Sequence, residues 1–165
     1  MAIEQTLQQL DAWYNELPGG TDRPKLLSKL AALELCGWIE LRMDEIVRTY
    51  AAKLALDPAW VEKSVIGHTN GFQYEQHFRT MLRLLMGEAR VIAVEQSVGI
   101  EEGGDLARMK ALLGVLWKIR NRLAHTNTQS ANTTQESIQA PSWSNNQQRI
   151  VAKLLEKFES ELLKI

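Results

Sequence analysis

Between residues 26 and 56 an apolar side chain returns every three to five positions, at Leu27, Leu30, Leu35, Trp38, Met43, Ile46, Tyr50 and Leu54. Only a helix gathers positions of that spacing onto one side. Unbroken, it spans ~30 residues, or about 45 Å at 1.5 Å per residue. A helix of that length serves as the spine of a bundle, because its apolar stripe must be covered by other helices. Asp22 can cap its start and Pro24 suits its first turn, while Asp57-Pro58 is expected to end it. No stretch of the chain alternates with period two, so no sheet is expected.

The other segments repeat the pattern. Leu7, Leu10, Trp13, Tyr14 and Leu17 trace a first helix that Pro18-Gly19-Gly20 stops. A short helical stretch is expected through Trp60 to Ile66, followed by a loop at 67–71. Phe72, Phe78, Met81, Leu82, Leu85 and Met86 mark a further helix that can continue through Val91 and Val94. After Gly103-Gly104, Asp105 is the expected N-cap of a helix bearing Leu106, Met109, Leu113, Leu116, Ile119 and Leu123. Residues 126–146 are rich in Thr, Asn, Gln and Ser and read as a long polar loop. Ser144 followed by Gln147 then resembles a capping box for a last helix striped by Ile150, Val151, Leu154, Leu155, Phe158 and Leu162. The fold class is therefore all-α, a bundle of about five to six helices around one long spine. With 165 residues, 45% of them hydrophobic, one domain over 1–165 is expected.

Composition excludes several kinds of protein. Nineteen Lys plus Arg against 20 Asp plus Glu leave a formal charge of -1, so any polyanion must be met by a local patch. The single cysteine, Cys36, permits neither an internal disulfide nor a cysteine-based zinc site, which suits a reducing cytoplasm. No run approaches ~18 apolar residues and the N-terminus lacks a signal-peptide pattern, so a soluble protein with no membrane partner is expected. His68 and His77 have no second ligand at metal-binding spacing, and residues 99–104 lack the lysine of a phosphate-binding loop. No metal and no cofactor are expected. Glu40, Asp44 and Glu45 look like a solvated acidic face whose partners at helical spacing are Arg42 and Arg48.

One segment departs from this plain background. Residues 106–135 contain no Asp or Glu, yet carry Arg108, Lys110, Lys118, Arg120 and Arg122. Such a local positive field is what a docking polyanion requires, although a solvated helix face has the same composition. Arg120 follows Leu116 by four residues and Leu113 by seven, which sets it on or beside the apolar stripe. There its head group either snorkels to solvent or stands at an interface ready for a phosphate. His125 lies ~140° further round an ideal helix, so the two side chains converge only if the helix ends or loosens near Ala124. The polar run from Thr126 predicts that end.

The run Arg120-Asn121-Arg122-Leu123-Ala124-His125, closing an apolar helix in a small all-α chain, resembles the Arg-x(4–6)-His motif of HEPN domains, in which Asn is a frequent second residue. With the long helix 24–56 it is most similar to the RiboL-PSP-like branch. The resemblance implies an up-and-down bundle of four or five helices over essentially the whole chain. It also implies a metal-independent endoribonuclease that cleaves single-stranded RNA through the RNA's own 2′-hydroxyl, leaving 2′,3′-cyclic phosphate and 5′-hydroxyl ends. In that reading Arg120 stabilises the non-bridging oxygens, Asn121 orients the imidazole or phosphate, and His125, whose residue type titrates near pH 6.5, moves protons. One motif brings one histidine, so the resemblance implies a homodimer with the helix from Asp105 to Ala124 at its interface. Lys118 and Arg122 would hold RNA, and Trp143, in the expected loop, is available for base stacking. Such proteins act as toxins or defence effectors, so a cognate antitoxin or nucleotidyltransferase partner is implied, and DNA is not expected. The alternative is a non-catalytic helical module that binds RNA, a nucleotide or a protein; the plainest option is a structural helical dimer.

Overall fold

A computed structural model describes residues 3–16, 22–99, 104–125 and 139–165. Among these residues the regular structure is entirely helical. The helices are α1 (Ile3–Glu16), α2 (Arg23–Lys53), α3 (Pro58–Trp60), α4 (Arg79–Met86), α5 (Glu88–Val98), α6 (Asp105–His125) and α7 (Pro141–Leu162). A π-helical turn, Val61–Ile66, continues α3, and another, Tyr74–Phe78, leads into α4. The seven α-helices exceed the expected five to six chiefly because the run from 72 to 94 is cut in two.

The cut falls at Gly87, whose φ of 79° and ψ of 165° are accessible to glycine alone. Apolar spacing carries no warning of it, since the stripe resumes with Val91 and Val94. The spine begins as expected: Leu26 N donates to Asp22 O at 3.2 Å, and the Asp22 carboxylate meets Lys25 Nζ at 3.3 Å. It ends earlier than expected, at Lys53. Leu56 N donates to Ala51 O (3.1 Å) and Ala55 N to Ala52 O (3.0 Å), a Schellman closure with Ala55 in the left-handed region at φ 53°. Asp57 therefore opens the next helix instead of closing this one, its Oδ1 accepting from Ala59 N at 3.1 Å ahead of Pro58.

Two further boundaries move. Arg108 N donates to Gly104 O at 3.0 Å, so Gly104 occupies the cap of α6 and Asp105 its first turn. Asp105 instead takes Lys157 Nζ at 2.6 Å, which holds its carboxyl below the usual range. The polar loop expected over 126–146 does not reach 146: Trp143 N donates to Ala140 O at 2.9 Å, and α7 starts at Pro141. Ser144 is consequently a buried helical residue and not a cap. The rest of that loop, at 126–138, lies outside the described residues, as does the Pro18-Gly19-Gly20 stop.

The chain divides into two compact units, to each of which α2, α6 and α7 contribute residues. The first comprises the described residues of Met1–Trp38 and Leu116–Ile150. In it Leu7 and Leu10 of α1 pack against Ala31, flanked by Ile3 and Leu27, and the buried Cys36 thiol points to Leu116 O at 3.9 Å. Its part of α7 buries polar atoms: Ser144 Oγ, Asn145 Oδ1 and Gln148 Oε1 have no hydrogen-bond partner among the described residues.

The second unit comprises the described residues of Ile39–Val115 and Val151–Ile165. Ile39, Met43, Ile46, Val47 and Tyr50 supply its α2 face, and Phe78 and Phe158 meet with ring centroids 5.2 Å apart. A buried ionic network ties its helices together. Glu95, 8% exposed, accepts from Arg79 Nε at 2.9 Å and from the Tyr74 hydroxyl at 3.0 Å, with Lys110 Nζ at 3.7 Å. Burial and the adjacent Glu95 push the Tyr74 hydroxyl far above its ordinary range. The acidic face of α2 is less solvated than its sequence implies. Arg42 does pair with Glu45 at 2.9 Å, and with Glu159, but Arg48 turns to Glu62 at 2.5 Å. Asp44 is half-buried, and desolvation pushes its carboxyl up to about 6 against the pull of Arg48. The His77 ring is fixed by Gln73 N, which donates to its Nδ1 at 3.0 Å, while burial pulls its pKa down.

Candidate nucleic-acid interface

The last part of α6, residues 116–125, belongs to the first unit. Leu116 and Leu123 anchor it by burial. At ~100° per residue, Lys118, Arg122 and His125, spaced i, i+4 and i+7, fall within about 60° of one another around the helix. All three are exposed, and Asn121, about 40° beyond His125, is half-buried at the edge of their strip. Along the axis Lys118 and Arg122 are about 6 Å apart and Arg122 and His125 about 4.5 Å. The helix thus aligns two permanent cations and an exposed imidazole on one acid-free face.

Arg120 is not on that face. Its guanidinium carbon lies 5.5 Å from the centroid of the Trp117 ring, and Nη1 donates to Asn121 Oδ1 at 3.2 Å. The residue is half-buried. The side chain stacks on its own helix. The helix end expected near Ala124 falls one residue later, at His125, which is itself still helical. The backbone positions of Arg120 and His125 are about 140° apart around the helix.

Family models, curated proteins and solved structures give no match to this chain. What the surface can do therefore follows from its own chemistry.

The positive field is shorter than the sequence suggests. Lys110 is consumed by Glu75 at 2.7 Å and lies 4.7 Å from the Tyr74 ring centroid, and Arg108 meets Asp105 at 3.5 Å. Those carboxylates come from outside the acid-free window, so counting charges along the chain misses them. At the end of the helix the exposed basic side chains are Lys118, Arg122 and His125. Trp143, expected in a loop, sits in the first turn of α7, half-buried. With Ala32, Ile119, Arg122, Leu123 and Gln139 it lines a pocket of about 20 Å³. That is room for a water molecule and not for a nucleobase.

The Glu95 network leaves one trace in the sequence: Glu95 interrupts the buried spacing Val91, Val94, Val98. A carboxylate at that position must be paired. Among the described residues no three His, Cys, Asp or Glu side chains are grouped so as to hold a metal ion, and no helix is long and apolar enough to cross a membrane.

Proposed function

We propose that this chain is a cytoplasmic, metal-independent endoribonuclease of the HEPN kind that cuts single-stranded RNA as a homodimer. The observation that carries the proposal is the exposed strip Lys118, Arg122, His125 on an acid-free helix end. Cations at that spacing suit consecutive phosphates, and a histidine between phosphate and solvent suits proton transfer near neutral pH.

The chemistry needs no cofactor because the substrate carries its nucleophile. One neutral His125 removes the proton of a 2′-hydroxyl, whose oxygen attacks the adjacent phosphorus. The bond from phosphorus to the 5′-oxygen breaks, and a second, protonated His125 from the partner subunit gives its proton to that leaving oxygen. The products are a 2′,3′-cyclic phosphate and a 5′-hydroxyl. A guanidinium on the non-bridging oxygens stabilises the charge that builds in between. Since one chain offers one such histidine, the reaction requires two α6 ends side by side. An enzyme of this type must be restrained, which fits a toxin or defence effector with an antitoxin or nucleotidyltransferase partner.

The second reading, an RNA-binding module without catalysis, is favoured by the 140° that separates Arg120 from His125 on α6. Labelled single-stranded RNA incubated in EDTA with the purified protein and with His125→Ala separates the two. Cleavage that depends on His125 supports the enzyme; retained binding without cleavage supports the module.

A further inference from the structure

We infer that the outer face of α2 is a contact for a second copy of this chain, the two α2 helices lying antiparallel about a two-fold axis beside Leu33. The inference does not rest on the RNase reading and concerns a contact separate from the α6 end.

Ala31, Leu35, Ile39, Met43, Ile46 and Tyr50 mark the buried side of α2. On a helix bathed by water the side facing away from them should be polar. Here it is not. At ~100° per residue, Leu26, Leu30, Leu33, Gly37, Leu41 and Asp44 fall within about 80° of one another. Leu26, Leu30 and Leu41 are 49%, 43% and 65% exposed, and Leu33 is half-buried. Because α2 is one unbroken helix, the strip belongs to it alone. α1 packs on one flank through Leu27 and Ala31, and α6 on the other through Ala32 and Cys36, which leaves the strip between them open. Its spacing repeats after 11 residues, at 26 and 37, 30 and 41, and 33 and 44. That period, about 3.67 residues per turn, is close to the helix's own 3.6, so the strip hardly winds and two copies can lie along each other.

Two features of the strip point to its own copy as the occupant. In a two-fold contact, where residue i meets j, j also meets i. About an axis beside Leu33, position 26 stands level with 41, 30 with 37, and 23 with 44. Leu26 then meets the partner's Leu41, and Leu30 enters the gap over the partner's Gly37. A glycine in the exposed interior of a helix is unfavourable, and neither a positive φ nor crowding calls for one here, since an added Cβ meets nothing within 4 Å. The approach of a second helix gives it a use. The second feature is charge: the exposed Arg23 reaches the partner's Asp44. Desolvation raises the Asp44 carboxyl to about 6 in the single chain, so a guanidinium beside it relieves a charge already short of water. Sliding one helix by three residues would set Asp44 against Leu26, and the charge thereby selects the register. Glu34, on one exposed flank, comes near its own copy, a repulsion that solvent and salt screen.

Cross-linking tests both the contact and its register. A chain carrying Leu26→Cys and Leu41→Cys together, treated with a short bismaleimide, is expected to give covalent dimer, and Leu33→Cys is expected to link to its own copy. Leu26→Cys and Leu41→Cys alone are expected to give little, and the wild type, whose Cys36 is buried, none. Sedimentation velocity over a concentration series measures the strength. Leu30→Glu is expected to raise the Kd ~100-fold or more, because two leucines leave each pair and two carboxylates enter it. At one concentration its assembly is then half the mass of the wild type's, whether or not the α6 ends also pair. Should Leu30→Glu fail to fold, Leu41→Lys, at a more exposed site, takes its place. Gly37→Leu, although better suited to a helix, is expected to weaken the pair ~10-fold or more by filling the gap. Absence of covalent dimer from the double cysteine variant, efficient linking by Leu26→Cys alone, which marks a parallel pair, or equal masses for Leu30→Glu and wild type would overturn the inference.

Discussion

Replacing Glu95 by Ala should unfold this protein more readily than its single carboxylate suggests. The side chain is 8% exposed and accepts from Arg79 Nε at 2.9 Å, Arg79 Nη2 at 3.3 Å and the Tyr74 hydroxyl at 3.0 Å. Stranding a buried charge costs 3–5 kcal/mol as a rule of thumb, about the upper limit here. Arg79 is not wholly stranded, because Glu88 remains at 2.5 Å and Glu75 at 3.7 Å. The two bonds from Arg79 are lost, and because Glu88 and Glu75 still hold that guanidinium they count together as about one charge-assisted bond, about 1.5–3 kcal/mol, to which the lost acceptor of a buried hydroxyl adds about 1 kcal/mol. The sum is about 3 kcal/mol, or a fall in Tm on the order of 10 °C for a chain of this length. Urea unfolding followed by far-UV circular dichroism measures it. Glu95→Gln, which keeps an acceptor for Tyr74, should lose about half as much. Tyr74→Phe combined with Glu95→Ala should destabilise by clearly less than the two single changes added. A loss below about 1 kcal/mol for Glu95→Ala, or strict additivity with Tyr74→Phe, would refute the network as a determinant of stability.

Three smaller changes probe the boundaries of the helices and the α2 face. Ala55→Gly should stabilise by about 1 kcal/mol, because φ 53° suits glycine and strains alanine; an unchanged urea midpoint would contradict the Schellman closure. Gly87→Ala should destabilise by about 2 kcal/mol from backbone strain alone, since an added Cβ meets nothing within 4 Å; tolerance of alanine would mean α4 and α5 run on as one helix. Asp44, with its carboxyl raised to about 6, binds its proton more tightly folded than unfolded, so its contribution to stability falls as pH rises from about 4 to 6. Asp44→Asn should therefore raise the urea midpoint at neutral pH and change it little near pH 4; an equal offset at both would contradict the burial of this carboxyl.

The helices that the sequence makes plain are those whose stripe is long and whose ends carry local signals. α1, the start of α2 at Asp22 and the body of α6 are of this kind, because spacing and caps are read within a few residues. Boundaries set by tertiary packing are hidden. α7 begins at Pro141, a residue well suited to a first turn, yet Ser, Asn and Gln in the next turns favour loops when judged alone. Gly87 is legible as a breaker only once its backbone is known to leave the helical region, at φ 79°. For the candidate site, Lys118, Arg122 and His125 follow from charge and spacing, and their shared face is plain helical arithmetic. The position of Arg120 is not, because a stacked guanidinium and a phosphate-seeking one have identical sequence neighbours. The pairing of Lys110 with Glu75 joins residues distant in the chain, so the charge window overstated the field.

The central claim, that His125 on an acid-free helix end drives attack by the RNA's own 2′-hydroxyl, is tested most directly by an oligonucleotide with a single ribose among deoxyribose residues. In EDTA the wild-type protein should cut once, 3′ to that ribose, leave a 2′,3′-cyclic phosphate, and spare the all-deoxy strand. His125→Ala should be at least ~100-fold slower, the scale of losing a general acid or base. Cleavage of the all-deoxy strand, or an undiminished rate in His125→Ala, would contradict it.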